Sequence, residues 1–133
     1  MLKYGLDVLG GDTMIYGTGI DITDLARVKE VVTKYPNFLT RVLTPGELAD
    51  YQQLSGQRAI EYLGGRWSVK ESYGKALGTG IGRDFGFQDL EVRDNAAGRP
   101  VVKFHPFGGM AHVSISHTAS VVMTQVILER GQS

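Results

Sequence analysis

The sequence predicts an α+β domain on three observations. Residues 15–22 alternate like a strand, apolar residues recur at helical spacing from Leu25 to Leu77, and nearly everything after Phe85 has a period of two. At 133 residues the chain can bury one core and is too short for two domains. Its 14 basic and 14 acidic residues cancel, so the total charge gives no sign of a phosphate-driven nucleic-acid binder. Cysteine is absent, which removes disulfides, thiolate catalysis and cysteine-bound zinc together. No apolar run approaches the roughly 20 residues of a membrane helix, and no signal-peptide pattern is present. A soluble, cytoplasmic protein is expected.

Residues 1–13 precede a second methionine, Met14, and read as an N-terminal extension or appended leader, with the domain proper over 14–133. From Ile15 the segment IYGTGIDI is a half-buried strand in which Asp21 points away from the face of Ile20 and Ile22. Asp24 is placed to cap a helix through Lys34, built on Leu25, Val28, Val31 and Val32 and ended before Pro36. Arg27, Lys34 and Arg41 lie on the remaining surface. Thr44-Pro45-Gly46-Glu47 is a capping box that opens a short helix to about Leu54. A long helix follows from about Arg58 to Leu77, closed by Gly78, a residue suited to a left-handed C-terminal cap. Gly64 and Gly65 inside it each cost about 1 kcal/mol against alanine and imply a close approach or a bend. Further on, FQDLEVR and RPVVKF flank a loop at Asp94–Gly98, and HVSISH and SVVMTQVILER flank a turn at His117–Ser120. These runs predict a C-terminal antiparallel sheet.

On the long helix Ile60, Leu63 and Trp67 form an apolar stripe whose next member is Glu71, and Lys75 follows one turn later on the same face. A buried carboxylate needs a metal, a cation or a hydrogen-bond network; an i,i+4 ion pair on a solvated edge is the plainer reading. Asp21 and Glu71 offer oxygen ligands of the kind Mg²⁺ takes beside phosphate, and Arg66, Lys70 and Lys75 would neutralise phosphates. The glycine-rich GTGIG after the helix does not fit a P-loop, although its N–H groups suit a phosphate. His105 and His112 read as ordinary surface positions. His117 ends a strand at a tight turn, where its ring can meet a ligand.

Together the Gly19-Ile20-Asp21 element, Arg27 six residues beyond the aspartate, the block WSVKESYGKALGTG and the terminal HVSISHT resemble holo-acyl-carrier-protein synthases, the small bacterial type of 4′-phosphopantetheinyl transferase. The resemblance spans residues 14–130. It implies the trimeric fold of that family and a transfer of the 4′-phosphopantetheine arm from coenzyme A to a serine of apo acyl carrier protein, leaving 3′,5′-ADP. By position, Asp21 and Glu71 would hold Mg²⁺ and Lys75 would contact phosphate. Arg66, Gly78, His117 and Thr118 would surround coenzyme A, and Arg27, Lys34 and Arg41 would dock the acidic carrier. Either Glu71 or a carboxylate-held water would take the serine proton. Larger single-chain transferases carry a second carboxylate where this chain has Thr23, so water would complete the shell. The small type is a homotrimer with active sites between subunits. A Mg²⁺-dependent nucleotide hydrolase and a non-catalytic carrier-binding module are the competing readings.

Overall fold

The computed structural model describes residues 14–131; the expectation for residues 1–13 lies outside them. The elements run β1 (Ile15–Asp24), α1 (Leu25–Lys34), α2 (Phe38–Val42), α3 (Pro45–Gln52), α4 (Gly56–Leu77), β2 (Glu91–Asp94), β3 (Pro100–Phe104), β4 (Met110–His117) and β5 (Val121–Glu129). This is the α+β arrangement expected. Among the described residues no helix is long and apolar enough to cross a membrane.

The caps fall where the sequence places them. Asp24 accepts from the Ala26 N–H at 3.0 Å, so β1 turns into α1 without a loop. Thr44 and Glu47 close a reciprocal capping box with Pro45 in the first turn. Gly78 ends α4 at φ +89°, its N–H shared between the Gly74 and Lys75 carbonyls. Two elements differ from expectation. The five-residue α2 was not expected, because so short a segment carries no periodicity of its own. FQDLEVR is a strand only from Glu91; Asp89 Oδ2 accepts from the Gly86 N–H at 2.8 Å and holds residues 87–89 in a 3₁₀ turn.

The sheet is divided. β1, β5 and β4 form one antiparallel sheet in that order, and β2 pairs with β3 separately. Thus the last strand lies between the first strand and β4. Its inward residues Val122, Thr124, Val126 and Leu128 are buried, as the middle strand of a sheet covered on one face requires. Helix α4 lies on that face, and the core follows its length: Leu63 and Tyr62 pack with Val28, Val42 and Leu43, while Val69 and Tyr73 pack with Phe85, Leu90, Val92, Val126 and Leu128. Each such buried side chain contributes about 1.5–3 kcal/mol.

Glycines set how closely β1 meets α4. A Cβ on Gly17 would lie 2.0 Å from the Ala76 carbonyl oxygen, and one on Gly19 would lie 2.0 Å from that of Ser72. Only residues without side chains permit this contact, and it places Asp21 directly over the helix. At Gly64 the close neighbour is instead the Leu25 side chain, 2.6 Å from where a Cβ would stand, so that glycine admits a packed side chain and not a second backbone.

Candidate active site

Asp21 sits on the inner face of β1, opposite Thr124 of β5. Its Oδ2 accepts from the Thr23 hydroxyl at 2.7 Å and the Ser68 hydroxyl at 2.8 Å. Among the described residues its Oδ1 has only the Lys75 ammonium, at 3.4 Å, while that ammonium donates a shorter bond of 2.9 Å to the Ile20 carbonyl. Thr23 therefore stands as a donor that fixes the aspartate. Ser68, Glu71 and Lys75 recur on one side of α4, and the outer two both touch Asp21. Glu71 thus lies beside Asp21, half-buried and without a hydrogen-bond or ion-pair partner among the described residues. Lys75 reaches Asp21, and Glu71 stands one turn before Lys75 on the same side of α4. Among the described residues there is no group of three or more potential protein ligands for a metal, so a cation here would have two carboxylates and take its remaining oxygens from elsewhere.

Lys70 requires a correction. Its side chain is fully buried with Glu47, the two 2.6 Å apart, and its ammonium also donates to the carbonyls of Val42 at 2.7 Å and Phe87 at 2.9 Å. It cannot neutralise a phosphate. Burial pulls its pKa below the ordinary lysine value, against the attraction of Glu47. The charge on the core side of α4 belongs to Lys70; Glu71, one residue on, keeps its edge toward solvent.

A second cluster is centred on Arg66, nearer the N-terminal end of α4. Arg66 precedes Ser68 by two residues, about 200° around the helix. It is 3% exposed, donates to the Val92 carbonyl and to Asp94 at 2.9 Å each, and lies over the Tyr62 ring at 4.1 Å. The cleft beside it is lined by Arg58, Glu61, Arg66, Asp94, Pro100 and His117. His117 is partly exposed there, with Nδ1 3.7 Å from Glu61. Thr118 caps the next turn, accepting from the N–H groups of Ser120 at 3.2 Å and Val121 at 3.1 Å. Asp21 and His117 are not in contact within the chain: Ser68, which touches Asp21, and Glu61, which faces His117, share one side of α4 and stand seven residues, about 10 Å, apart along it. Gly78 serves the helix terminus. Arg27, Lys34 and Arg41 are all exposed; Arg27 and Arg41 have no ion-pair partner among the described residues, and Lys34 lies over the Tyr35 ring at 5.6 Å.

The model of the 4′-phosphopantetheinyl transferase superfamily matches residues 17–127. The chain belongs to that superfamily. Within these transferases it is 73% identical over 118 residues to the holo-[acyl-carrier-protein] synthase of Levilactobacillus brevis, covering 89% of this chain and 97% of that protein. It is 58% identical over 116 residues to the synthase of Limosilactobacillus reuteri, covering 87% and 97%. The solved holo-(acyl-carrier-protein) synthase of Bacillus anthracis, in complex with CoA (3′,5′-ADP), is similar with a TM-score of 0.82 and 40% identity, over 88% of this chain and 98% of that one. The synthase of Neisseria meningitidis gives 0.80 and 31%, over 88% and 100%.

Some residues that shape this transferase escape a linear reading. The Glu47–Lys70 pair joins a cap to a helix 23 residues away; only the K-E doublet hints at it, and it hints at the wrong member. Ser68, Ser72 and Thr124 look like ordinary polar positions until β5 is laid beside β1. His105, expected on the surface, is half-buried with Nδ1 2.9 Å from the Tyr73 hydroxyl, and burial lowers its pKa.

Proposed function

We propose that this chain transfers the 4′-phosphopantetheine arm of coenzyme A to a serine hydroxyl of apo acyl carrier protein, releasing 3′,5′-ADP, in the service of fatty acid biosynthesis. The observation that carries the reading is the grouping of Asp21, Glu71 and Lys75 on the frame of the transferase family, with one oxygen of Asp21 held by two hydroxyls and Glu71 unpaired among the described residues. Mg²⁺ fits this donor set, since two adjacent carboxylates, one lacking any partner there, are hard oxygen ligands in search of a cation. When bound, it would supply charge for the pyrophosphate oxygens. Lys75 is half exposed and free to turn from the Ile20 carbonyl toward a phosphate, where it would stabilise charge developing on the leaving group. The serine oxygen forms the new bond to the phosphorus that carries pantetheine, the bond from that phosphorus to the bridging oxygen breaks, and the serine proton passes to Glu71 or to a carboxylate-held water.

The remaining contacts belong to the same reading. Arg66, Gly78, His117 and Thr118 would surround the coenzyme A nucleotide, and the exposed Arg27, Lys34 and Arg41 would receive the acidic carrier. A homotrimer with sites between subunits accounts for the separation of the Asp21 and His117 clusters. The outer face of the three-stranded sheet supports self-association: Ile20 and Ile22 are 56% and 66% exposed, and Met123, the cross-strand partner of Ile22, is 49% exposed. A cytoplasmic location follows from the substrates. The test is incubation with coenzyme A, apo carrier and Mg²⁺, read as a mass gain on the carrier. An unmodified carrier, or release of nucleotide without that gain, would replace the transferase by a binding module or a hydrolase.

A further inference from the structure

Three buried hydroxyls stand behind Asp21, and proton counting gives them a direction. Ser68 and Ser72 are 0% exposed and Thr124 is 1% exposed. Ser68 Oγ lies 2.8 Å from Asp21 Oδ2 and 2.8 Å from Thr124 Oγ1, which in turn lies 2.7 Å from Ser72 Oγ. Each hydroxyl has one proton to donate, and a carboxylate only accepts. Ser68 must therefore spend its proton on Asp21. The contact between Ser68 and Thr124 is then a bond only if Thr124 donates. Ser72, whose other acceptor is the Thr124 carbonyl at a longer 3.3 Å, is left to donate to the Thr124 hydroxyl. All three bonds point the same way.

We propose that Ser72, Thr124 and Ser68 form a directed hydroxyl chain ending on Asp21, and that Thr124 is a positioning residue for the cation-binding carboxylate. The chain polarises in one sense, each bond strengthening the next, and delivers its last donor to Oδ2. With Thr23 donating to the same oxygen, Oδ2 is held twice, while Oδ1 has the Lys75 ammonium at 3.4 Å as its one hydrogen-bond partner among the described residues. Thr124 faces Asp21 directly across the β1–β5 ladder, so the last strand of the chain orients a ligand on the first. Hydrogen-bonded supports of this kind commonly change metal affinity by about 10- to 100-fold when removed.

The inference rests on Asp21 as a cation ligand, and the experiment separates the two. Mn²⁺ binding is measured by electron paramagnetic resonance at saturating coenzyme A, for the wild type, Thr124→Val and Thr124→Ser. Valine keeps the shape and removes the donor. The expected result is an affinity about tenfold weaker for Thr124→Val, largely restored in Thr124→Ser, with the metal KM rising more than kcat falls. Equal affinity in wild type and Thr124→Val would overturn the chain while leaving the metal site intact, as would an equal loss in Thr124→Ser. Absence of Mn²⁺ binding in the wild type would overturn the metal site and the chain with it. Should Thr124→Val fail to fold, Ser72→Ala removes the first donor alone and is expected to weaken binding about twofold to threefold; no change there counts against the proposal.

Discussion

At the scale of single residues the site depends on what each oxygen is left to do. Asp21 and Glu71 are both expected to be indispensable: Asp21→Ala and Glu71→Ala should abolish transfer with little loss of fold, because Glu71 bonds to nothing among the described residues and Asp21 bonds mainly to hydroxyls at its edge. Circular dichroism and carrier mass together check this, and turnover retained by either variant at ordinary Mg²⁺ would remove the metal from the account. Lys75→Ala should raise the barrier by about 3 kcal/mol, a hundredfold or more in kcat, if the ammonium meets charge that develops in the transition state. A change in the coenzyme A KM alone would assign it to ground-state binding. Strand alternation put Asp21 on the face opposite Ile20 and Ile22, as the β1–β5 register has it, and helical spacing put Lys75 one turn from Glu71. The role of Lys70 was not legible in the sequence. The neighbouring position on a helix points about 100° away, and a stripe drawn through Glu71 put the wrong residue toward solvent.

Elements were easier to read than their assembly. Caps, helix stops and strand alternation are local, and they were correct for α1, α3, the end of α4 and the C-terminal strands. The pairing of β1 with β5 spans the whole chain and leaves no local mark, except that Gly17 and Gly19 make room for α4. The same holds for the Glu47–Lys70 pair, which ties α3 to α4. Lys70→Met should cost about 3 kcal/mol in urea unfolding, at the low end for a broken buried pair because Glu47 keeps bonds from the N–H groups of Thr44 and Val92. The double variant Lys70→Met with Glu47→Gln should recover part of it; a single-variant cost under about 1 kcal/mol would show the pair to be dispensable. Helix α1 carries a different expectation, because its exposed cations have little to hold them. Arg27→Glu should raise the KM for apo carrier strongly and leave coenzyme A binding near wild type, an effect that fades as salt shortens the screening length. An unchanged carrier KM would leave α1 as a solvated face.

For the whole molecule, the decisive feature is that the Asp21 cluster and the His117 cleft are spaced along α4, their contacts Ser68 and Glu61 lying seven residues apart. In the proposed homotrimer the catalytic unit is a junction between neighbours, and a single copy gives its Asp21 cluster to one junction and its His117 cleft to another. Such a junction obeys the arithmetic of mixtures. Asp21→Ala spoils the half that a subunit gives to one neighbour, and His117→Glu, by setting a carboxylate where nucleotide phosphate is expected, spoils the half that it gives to the other. Each protein alone should be nearly inactive, since every junction carries the defect. Co-refolded in equal amounts, the two should regain activity, because random assortment leaves about one junction in four with both halves sound. Mixed assemblies seen by native mass spectrometry without any return of activity would mean that both clusters act within one chain. Inheritance of function in this protein would then be a property of pairs of neighbours, with two defective copies able to rescue each other where two identical ones cannot.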